Sequence, residues 1–349
     1  MANIKDVAEK AGVSISTVSN VINGTKYVSE ELKNKINNVI KELRYEVDPV
    51  ARSLKSKRTM TIGVVITNIN RIFFTQVMKS IQDCAAKKGY NLTFCNTGDM
   101  IDTEKEFIHL LESNWVDGII LDSVADINEV EYFKYLSCLG NKKKTIPVVS
   151  LERRLDSYGI DSVVVNNHQG GSMASKHLID CGCRSIFHIT GPLRSCIAQD
   201  RLNGYKAELK KANLEVDAKR INEGDYSPLS GYHLMRQVLL TGIEVDGVFA
   251  ANDQMAIGAM KAIKENGLRI PEDIRIIGFD NTFVASIVEP ALTTVNVPKY
   301  KMGDTAVEML IRRIGNPSEE VCCSELPINL IVRQSTKLKG DKNWDLYGW

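Results

Sequence analysis

The 349-residue sequence lacks the features that place a chain in or across a membrane. No apolar run reaches the roughly 18 residues that a membrane-spanning helix needs. The first residues, Met1 to Asp6, turn polar at once, without the apolar core of a secretory signal, so we expect a cytoplasmic protein. The eight cysteines form no C-x-x-C pair, and in an unexported chain we expect them to be free thiols.

Enzyme signatures are absent as well. The sequence contains no G-x-x-x-x-G-K-[ST] and no G-x-S-x-G, and its five histidines form no H-x-x-x-H pair. Gly170-Gly171 opens a predicted helix but does not complete G-x-G-x-x-G. We therefore expect a protein that is not an enzyme and that needs no cofactor and no metal.

Charge is nearly balanced over the whole chain, with a net value of +1, but it is unevenly distributed. Residues 1–60 carry 11 Lys and Arg against 7 Asp and Glu, so the remainder is slightly acidic. A basic amino-terminal segment on an acidic body favours an anionic partner for that segment.

Three short helices are predicted in this segment. Asn3 caps the first, with Asp6 three residues on as a capping-box partner, and Gly12 ends it. A second helix covers about 15–22, and Ser29 caps a third whose apolar stripe begins at Leu32.

The second of these helices has two different faces. At about 100° per residue, one face is aliphatic and centres on Val18, while Ser16 and Asn20 lie on the opposite face. A helix with short, uncharged hydrogen-bonding side chains, after a glycine turn, suits the reading of base edges in the major groove. A small bundle with a solvated polar face is the alternative.

A short basic stretch follows. Asp48 caps a helix with Pro49 at its first position, and Arg52, Lys55, Lys57 and Arg58 surround Leu54. A helix of two turns is too short to be stable alone in water. It could become ordered on binding DNA and insert Leu54 as a wedge into the minor groove. A flexible charged linker is the other interpretation.

From Met60 onward, strands and helices alternate, which predicts α/β architecture with parallel sheets. About eight strands before residue 280 favour two similar lobes with a ligand cleft between them. The predicted strands are Thr61–Thr67, Leu92–Asn96, Gly118–Asp122, Val148–Leu151, Ser162–Val165, Ser185–Thr190, Gly247–Ala251 and Ile274–Phe279.

Polar and aromatic residues follow these strands or lie close to their ends. Carboxylates accept hydrogen bonds from hydroxyl groups and aromatic rings stack on C–H faces, so we expect a small polar ligand such as a sugar. Three of these features have structural alternatives: Asp253 as a helix N-cap, Phe73-Phe74 as core or interface, and Arg201 as a surface ion pair. The candidate effector residues are Phe73, Phe74, Asp122, Glu152, Arg201, Tyr226, Asn252 and Asp280.

The chain carries a series of short motifs in a fixed order. The motifs are Ile4-Lys5-Asp6-Val7-Ala8, Ala11-Gly12-Val13-Ser14, Thr17-Val18-Ser19, Val21-Ile22-Asn23, Val50-Ala51-Arg52-Ser53-Leu54, Val116-Asp117-Gly118-Ile119-Ile120, Gly224-Asp225-Tyr226, Ala251-Asn252-Asp253-Gln254-Met255-Ala256-Ile257-Gly258-Ala259, Ile277-Gly278-Phe279-Asp280-Asn281, Pro290-Ala291-Leu292-Thr293-Thr294-Val295 and Arg333-Gln334-Ser335-Thr336. In this order they resemble the lac repressor/purine repressor family of bacterial transcriptional regulators, nearly collinearly over residues 1–336.

The resemblance implies a ligand-responsive, sequence-specific DNA-binding regulator, most often a repressor, that acts as a homodimer on a pseudo-palindromic operator. It implies a helix-turn-helix headpiece (1–46), a hinge helix (47–59), a two-lobed body like periplasmic sugar-binding proteins (60–336) and a short tail (337–349). The chain would cross between the lobes three times. The implied DNA-binding residues are Ile4, Ser14, Ile15, Ser16, Thr17, Ser19, Asn20, Asn23, Val50, Ala51 and Leu54, with Leu54 intercalating at the operator centre.

Some positions depart from the family pattern. Many members have Arg at position 20, which suits guanine, whereas Asn prefers adenine. Where purine repressors place hydrogen-bonding residues after Gly191-Pro192-Leu193, this chain has Ser195, Cys196 and Ile197, which argues against a purine effector. The tail is too short for the leucine heptads of a tetramer, which favours a dimer.

Three alternatives remain: a regulator controlled by a partner protein, a sugar-binding protein without DNA function, and an α/β enzyme of sugar metabolism.

Overall fold

The structure is a computed structural model that describes residues 2–23, 26–45, 58–126, 128–141, 144–341 and 344. The chain forms two compact units, Met1–Met60 and Thr61–Trp349. The first contains the predicted headpiece, and the second, called the body here, contains both predicted lobes. Residues 46–57, which include most of the predicted hinge helix, lie outside the described residues, so the predicted four-part division stays a prediction.

The headpiece consists of three helices packed around a small aliphatic core. The predicted capping box is present, since Asp6 N–H donates to Asn3 Oδ1 at 3.2 Å and Asn3 N–H donates to Asp6 Oδ2 at 2.8 Å. Gly12 ends the first helix in the left-handed region, at φ 67°. Ser29 holds the N-cap position of the third helix, but among the described residues its side chain makes no capping hydrogen bond. The helices are α1 (Ile4–Ala11), α2 (Ile15–Asn23) and α3 (Glu30–Leu43).

Lobe 1 of the body is a six-stranded sheet covered by helices. Its elements are β1 (Thr61–Ile66), α4 (Phe73–Lys87), β2 (Asn91–Asn96), α5 (Ile101–Ser113), β3 (Gly118–Leu121), α6 (Val130–Ser137), the hairpin β4 (Gly140–Asn141) and β5 (Lys144–Thr145), β6 (Val148–Leu151), β7 (Asp161–Val165), α12 (Lys299–Gly315) and β13 (Cys323–Leu326). The strand order is β13-β7-β6-β3-β1-β2, and every pairing in it is parallel. β3, and β1 after its first residue Thr61, are buried and carry no polar side chain, as sheets covered on both faces require.

Lobe 2 repeats the same plan. Its elements are α7 (Asn167–Asp180), β8 (Ile186–Thr190), α8 (Cys196–Lys211), β9 (Ile221–Glu223), α9 (Pro228–Leu240), β10 (Gly247–Ala250), α10 (Asp253–Glu265), β11 (Arg275–Asp280), α11 (Val284–Ile287), β12 (Thr293–Asn296) and β14 (Asn329–Ile331). The strand order is β14-β12-β11-β10-β8-β9, and only β14 is antiparallel. Gly171 and Gly204 let α7 and α8 pack closely, because a Cβ at either position would lie 2.1 Å from a backbone oxygen of the other helix. Gly170 instead leaves room for the Phe279 ring of β11, which a Cβ would approach to 2.5 Å.

The eight strands predicted from the sequence are all present, with ends that differ by one residue at most. The chain crosses between the lobes after β7, after β12 and after β13, as the family resemblance implied. The predicted fold class is therefore confirmed. The carboxyl ends of the parallel strands in both lobes meet the cleft between them.

Candidate functional sites: the headpiece surface and the interlobe cleft

The second helix of the headpiece shows the predicted division of faces. Val18 is completely buried and packs with Val21 and Ile22 in the core. Ile15, 44% exposed, and Ser16 are on the surface, and Thr17, Ser19 and Asn20 are half-buried. Ile4 is half-buried against the same core.

Ser14 fixes the start of this helix. The Thr17 backbone N–H donates to Ser14 Oγ at 3.1 Å, and the Ser14 hydroxyl also hydrogen-bonds the hydroxyls of Ser16 (2.7 Å) and Thr17 (2.8 Å). The surface beside the cap therefore presents a cluster of small hydroxyl groups. The Asn23 side chain and the predicted hinge contacts Val50, Ala51 and Leu54 lie outside the described residues, so their roles stay predictions.

In the body, all eight candidate effector residues line one cleft between the lobes, called the interlobe cleft below. Lobe 1 contributes the start of α4 and the residues after β3 and β6. Lobe 2 contributes the end of β11, the residue after β10, α8 and the segment before α9. The lining residues are Thr67, Arg71, Phe73, Phe74, Asp99, Asp122, Ser123, Val124, Glu152, Arg153, Pro192, Arg194, Ser195, Ile197, Arg201, Tyr226, Asn252 and Asp280.

Arg201 lies at the centre of this cleft and is 3% exposed, so the alternative of a surface ion pair is wrong. Its Nη2 lies 3.7 Å from Asp280 Oδ1 and 4.0 Å from Glu152 Oε1, in the other lobe. Its guanidinium also donates to Asn167 and to the Ala251 carbonyl. With these contacts, Arg201 is held rigidly between carboxyl groups of both lobes.

The carboxyl groups of the cleft resist ionisation because they are buried and close together. Burial, together with the neighbouring carboxylates Asp122 and Asp280, raises the pKa of Glu152 to about 8 against the opposing effect of Arg201. Burial raises the pKa of Asp122 to about 6 and also raises that of Asp280. A protonated carboxyl both donates and accepts hydrogen bonds, which suits the hydroxyl groups of a polar ligand.

Four residues of the cleft have left-handed backbone conformations that residues other than glycine rarely adopt. Their φ angles are 65° at Asp99, 60° at Glu152, 69° at Tyr226 and 97° at Asp280. Such conformations cost about 1–3 kcal/mol each and tend to cluster at binding sites. The fold thus holds these four side chains in place at the expense of stability.

Several cleft residues were not predicted from the sequence. Arg71 donates to Asp99 Oδ1 at 2.5 Å and to Thr67 Oγ1 at 2.8 Å, and its guanidinium lies 4.8 Å from the centre of the Tyr226 ring. Arg194 reaches from lobe 2 to the Asp99 carbonyl. These residues are in loops after strands, where no periodic pattern marks them.

Two predicted strand-end positions have mainly structural contacts. Asn252, rather than Asp253, is the N-cap of α10, since its Oδ1 accepts from Met255 N–H at 2.9 Å. Asp253 is fully buried and accepts hydrogen bonds from Thr282 and Thr294.

Phe73 and Phe74 are 5% and 3% exposed, so they belong to the core as well as to the cleft wall.

Comparison with known proteins gives the family. A model for bacterial regulatory proteins of the lacI family matches residues 3–48, and one for a periplasmic binding protein-like domain matches 175–336. The HTH-type transcriptional repressor PurR of Vibrio atlanticus (strain LGP32) is 36% identical over 337 residues, which are 97% of this chain and 99% of that protein. The chain belongs to the lacI family of bacterial regulatory proteins. It is a DNA-binding transcriptional repressor and not an enzyme.

Two solved structures of lacI-family regulators match nearly the whole chain, and a third matches 79% of it. The lac repressor dimer bound to operator and the anti-inducer ONPF has a TM-score of 0.86 and 30% identity, covering 96% of this chain and 99% of that one. The transcriptional regulator CelR in complex with cellobiose has a TM-score of 0.71 and 30% identity, covering 96% and 100%. A regulator from Alkaliphilus metalliredigens QYMF with D-xylulofuranose has a TM-score of 0.65 and 30% identity, covering 79% and 98%.

The described residues contain neither a membrane-spanning helix nor a cluster of metal ligands. Among the described residues, no helix has the length and apolar character needed to cross a bilayer. Over the same ranges, no group of three or more His, Cys, Asp or Glu side chains is arranged to hold a metal ion.

Proposed function

We propose that this repressor is controlled by a small polar effector, a sugar or sugar derivative, bound in the interlobe cleft. The observation that carries the proposal is the ring of carboxyl groups around Arg201, with the aromatic side chains of Phe73, Phe74 and Tyr226 along the wall. Carboxyl oxygens pair with hydroxyl groups, and aromatic rings pack on the C–H faces of a sugar. The family members with cellobiose and D-xylulofuranose support this class of effector.

The headpiece is proposed to read the operator through α2. Ile15, Ser16 and Asn20 would face bases, while Ser14, Thr17, Ser19 and Asn23 would contact phosphates. Ile4, Val50 and Ala51 would add contacts, and Leu54 would enter the minor groove between two hinge helices. This arrangement requires a homodimer on a pseudo-palindromic operator. The lac repressor neighbour, solved as a dimer bound to operator, supports the dimer.

Coupling between the two sites is proposed to run through the angle between the lobes. The effector contacts residues of both lobes, so its binding free energy depends on that angle. The angle sets the distance between the two hinge segments of a dimer, which order only at a separation that fits DNA. An effector that prefers one lobe arrangement by a few kcal/mol is sufficient, since about 1.4 kcal/mol shifts an equilibrium tenfold.

A two-part experiment tests this function. Gel shifts of the full chain on genomic fragments measure sequence-specific DNA binding, and a thermal-shift panel finds ligands, because binding to the folded state raises stability. The curated relatives carry the name PurR, so the panel includes nucleobases and nucleosides beside sugars. DNA binding that ignores sequence contradicts the operator proposal. A nucleobase that binds while sugars do not contradicts the sugar proposal, and a response only to a cell protein identifies a partner protein as effector.

A further inference from the structure

A second cavity adjoins the interlobe cleft and shares part of its wall. It has a volume of about 310 Å³, against about 80 Å³ for the cleft. Glu152, Arg153 and Ile197 line both spaces. The second cavity is bounded further by the 3₁₀ turn Asp156–Tyr158, by the first crossing between the lobes and by the start of α8. Most of the empty volume that a substituent of the ligand could occupy therefore lies in the second cavity, next to Arg153.

Arg153 lies between the two spaces. Among the described residues, its guanidinium has no ion-pair partner and only part of its hydrogen-bonding capacity is used. Its side chain is 5% exposed, and its Nη2 donates to the Ala125 carbonyl at 2.6 Å. Its Nε is buried and has no hydrogen-bond partner among the described residues. In the same ranges no carboxylate oxygen lies within the 4.0 Å of a salt bridge to it, although Asp122 is near enough to feel its charge. A buried guanidinium with an unused N–H is costly.

The acidic residues around the second cavity do not supply the missing anion. Glu325 is held by Arg154, whose Nη2 lies 3.1 Å from Glu325 Oε2. Burial raises the pKa of Glu152 to about 8, so this carboxyl is mostly protonated at neutral pH, and burial also raises the pKa of Asp200. Among the described residues, the wall of the second cavity thus presents the buried positive charge of Arg153 without an ion-pair partner.

From this geometry we propose that the effector carries an anionic oxygen group, a phosphoryl or carboxylate substituent, that is bound by Arg153 and extends toward the second cavity. The planar guanidinium binds such groups through paired, charge-assisted hydrogen bonds. The inference rests on the proposed effector site in the cleft and narrows its ligand to acidic or phosphorylated polar compounds. The other role open to Arg153 is structural, since its guanidinium also lies 5.4 Å from the centre of the Phe133 ring.

The first experiment uses inorganic phosphate as the probe on the full chain. Thermal shifts are measured at increasing phosphate, with chloride at equal ionic strength as reference, for the native protein, Arg153→Met and Arg269→Met. Arg269 is exposed, is paired with Asp273 and lines neither cavity, so its variant is the matched control. We expect a saturable rise in melting temperature. Arg153→Met should need at least tenfold more phosphate for the same rise, and Arg269→Met should behave like the native protein. Equal dose responses in all three proteins overturn the proposal.

The second experiment distinguishes a ligand-binding role of Arg153 from a purely structural role. It also shows whether a phosphoryl or a carboxylate substituent is preferred. Affinities are measured for glucose, glucose 6-phosphate and glucuronate as a matched set. We expect one of the two anionic sugars to bind more tightly than glucose, and we expect Arg153→Met to remove that preference while Arg153→Lys restores part of it. Preference for glucose, or equal losses for all three ligands in Arg153→Met, overturns the proposal. Gel shifts on the same preparations report operator binding, so a failure of the repressor function is seen independently of the anion result.

Discussion

The side chain of Gln254 in lobe 2 is hydrogen-bonded to the backbone beside Ile72 in lobe 1. Ile72 N–H donates to Gln254 Oε1 at 2.9 Å, and Gln254 Nε2 donates to the Asn70 carbonyl at 3.2 Å. One amide thus joins the start of α10 to the loop before α4, at the rim of the cleft. The two bonds stabilise the arrangement of the lobes seen here.

Gln254→Ala is expected to favour a wider angle between the lobes. Two hydrogen bonds contribute about 1–2 kcal/mol together, so an effector that binds this arrangement should lose affinity roughly five- to thirtyfold. Isothermal titration with a sugar found in the panel measures the loss. Gln237→Ala, on the exposed side of α9, is the control. Affinity that is the same in both variants contradicts a role for this contact.

Asp280→Asn is expected to abolish the effector response while operator binding persists. The substitution removes a charge beside Arg201 but keeps the size of the side chain, and hydrogen bonds to charged groups contribute about 1.5–3 kcal/mol. Gel shifts with and without effector measure the response. Asp273→Asn, at a half-buried aspartate that is paired with Arg269 and does not line the cleft, should behave like the native protein. A normal response of Asp280→Asn would place the effector elsewhere.

The stability of the body should depend on Glu152 as the pH changes. Its pKa rises from 4.5 to about 8 on folding, so the folded state binds the extra proton between these values. The contribution of Glu152 to stability is therefore fully present below about pH 4.5 and is lost as the pH rises through about 8.

Chemical denaturation at several pH values tests this dependence. Relative to the native protein, Glu152→Gln should gain stability as the pH is raised from about 5 to about 8.5, because the amide never ionises. Glu272→Gln, at an exposed position, should show no such trend. A constant difference between Glu152→Gln and the native protein over this range would show that the carboxyl ionises freely.

Asn20→Arg should change which base pairs the headpiece prefers. Asn pairs with adenine and Arg with guanine in the major groove, and a well-placed contact of this kind is worth about 1–3 kcal/mol of discrimination. Selection of bound duplexes from a randomised pool measures the preference. Asn38→Arg adds the same charge on the exposed side of α3 and should raise affinity without changing sequence preference. Identical selected sequences for both variants would remove Asn20 from the base-reading surface.

Leu54→Ala should weaken operator binding and leave effector affinity unchanged. The leucine is proposed to stabilise a kinked base step, and alanine is too short to do so. Leu54→Met keeps a long apolar side chain and should retain most of the affinity. Native-like operator affinity of Leu54→Ala in quantitative gel shifts would exclude the wedge.

The sequence was informative wherever a local rule connects residue type to position. Asp122, Glu152 and Asp280 were predictable as a group because the carboxyl ends of parallel strands meet at one edge. The buried face of α2 followed from its periodicity, and the fold class followed from the alternation of strands and helices.

Other features depend on distant partners and were not predicted. Arg71 and Asp99 are in different loops and pair only when β1 and β2 are adjacent. The packing of α12 is another such feature: Met302, Ala306 and Leu310 form a buried stripe at helical spacing, but the stripe does not say which element it covers. Its position depends on Gly303, where a Cβ would lie 2.5 Å from the Val77 carbonyl oxygen in α4.

The last two strands have a consequence for biosynthesis. β13 completes the sheet of lobe 1 and β14 completes that of lobe 2, yet they follow each other within residues 323–331. Neither sheet has all of its strands until the chain has left the ribosome as far as residues 323–331. A premature stop codon anywhere upstream would remove strands from both lobes at once, so we expect degraded protein from such alleles and not a half-working repressor.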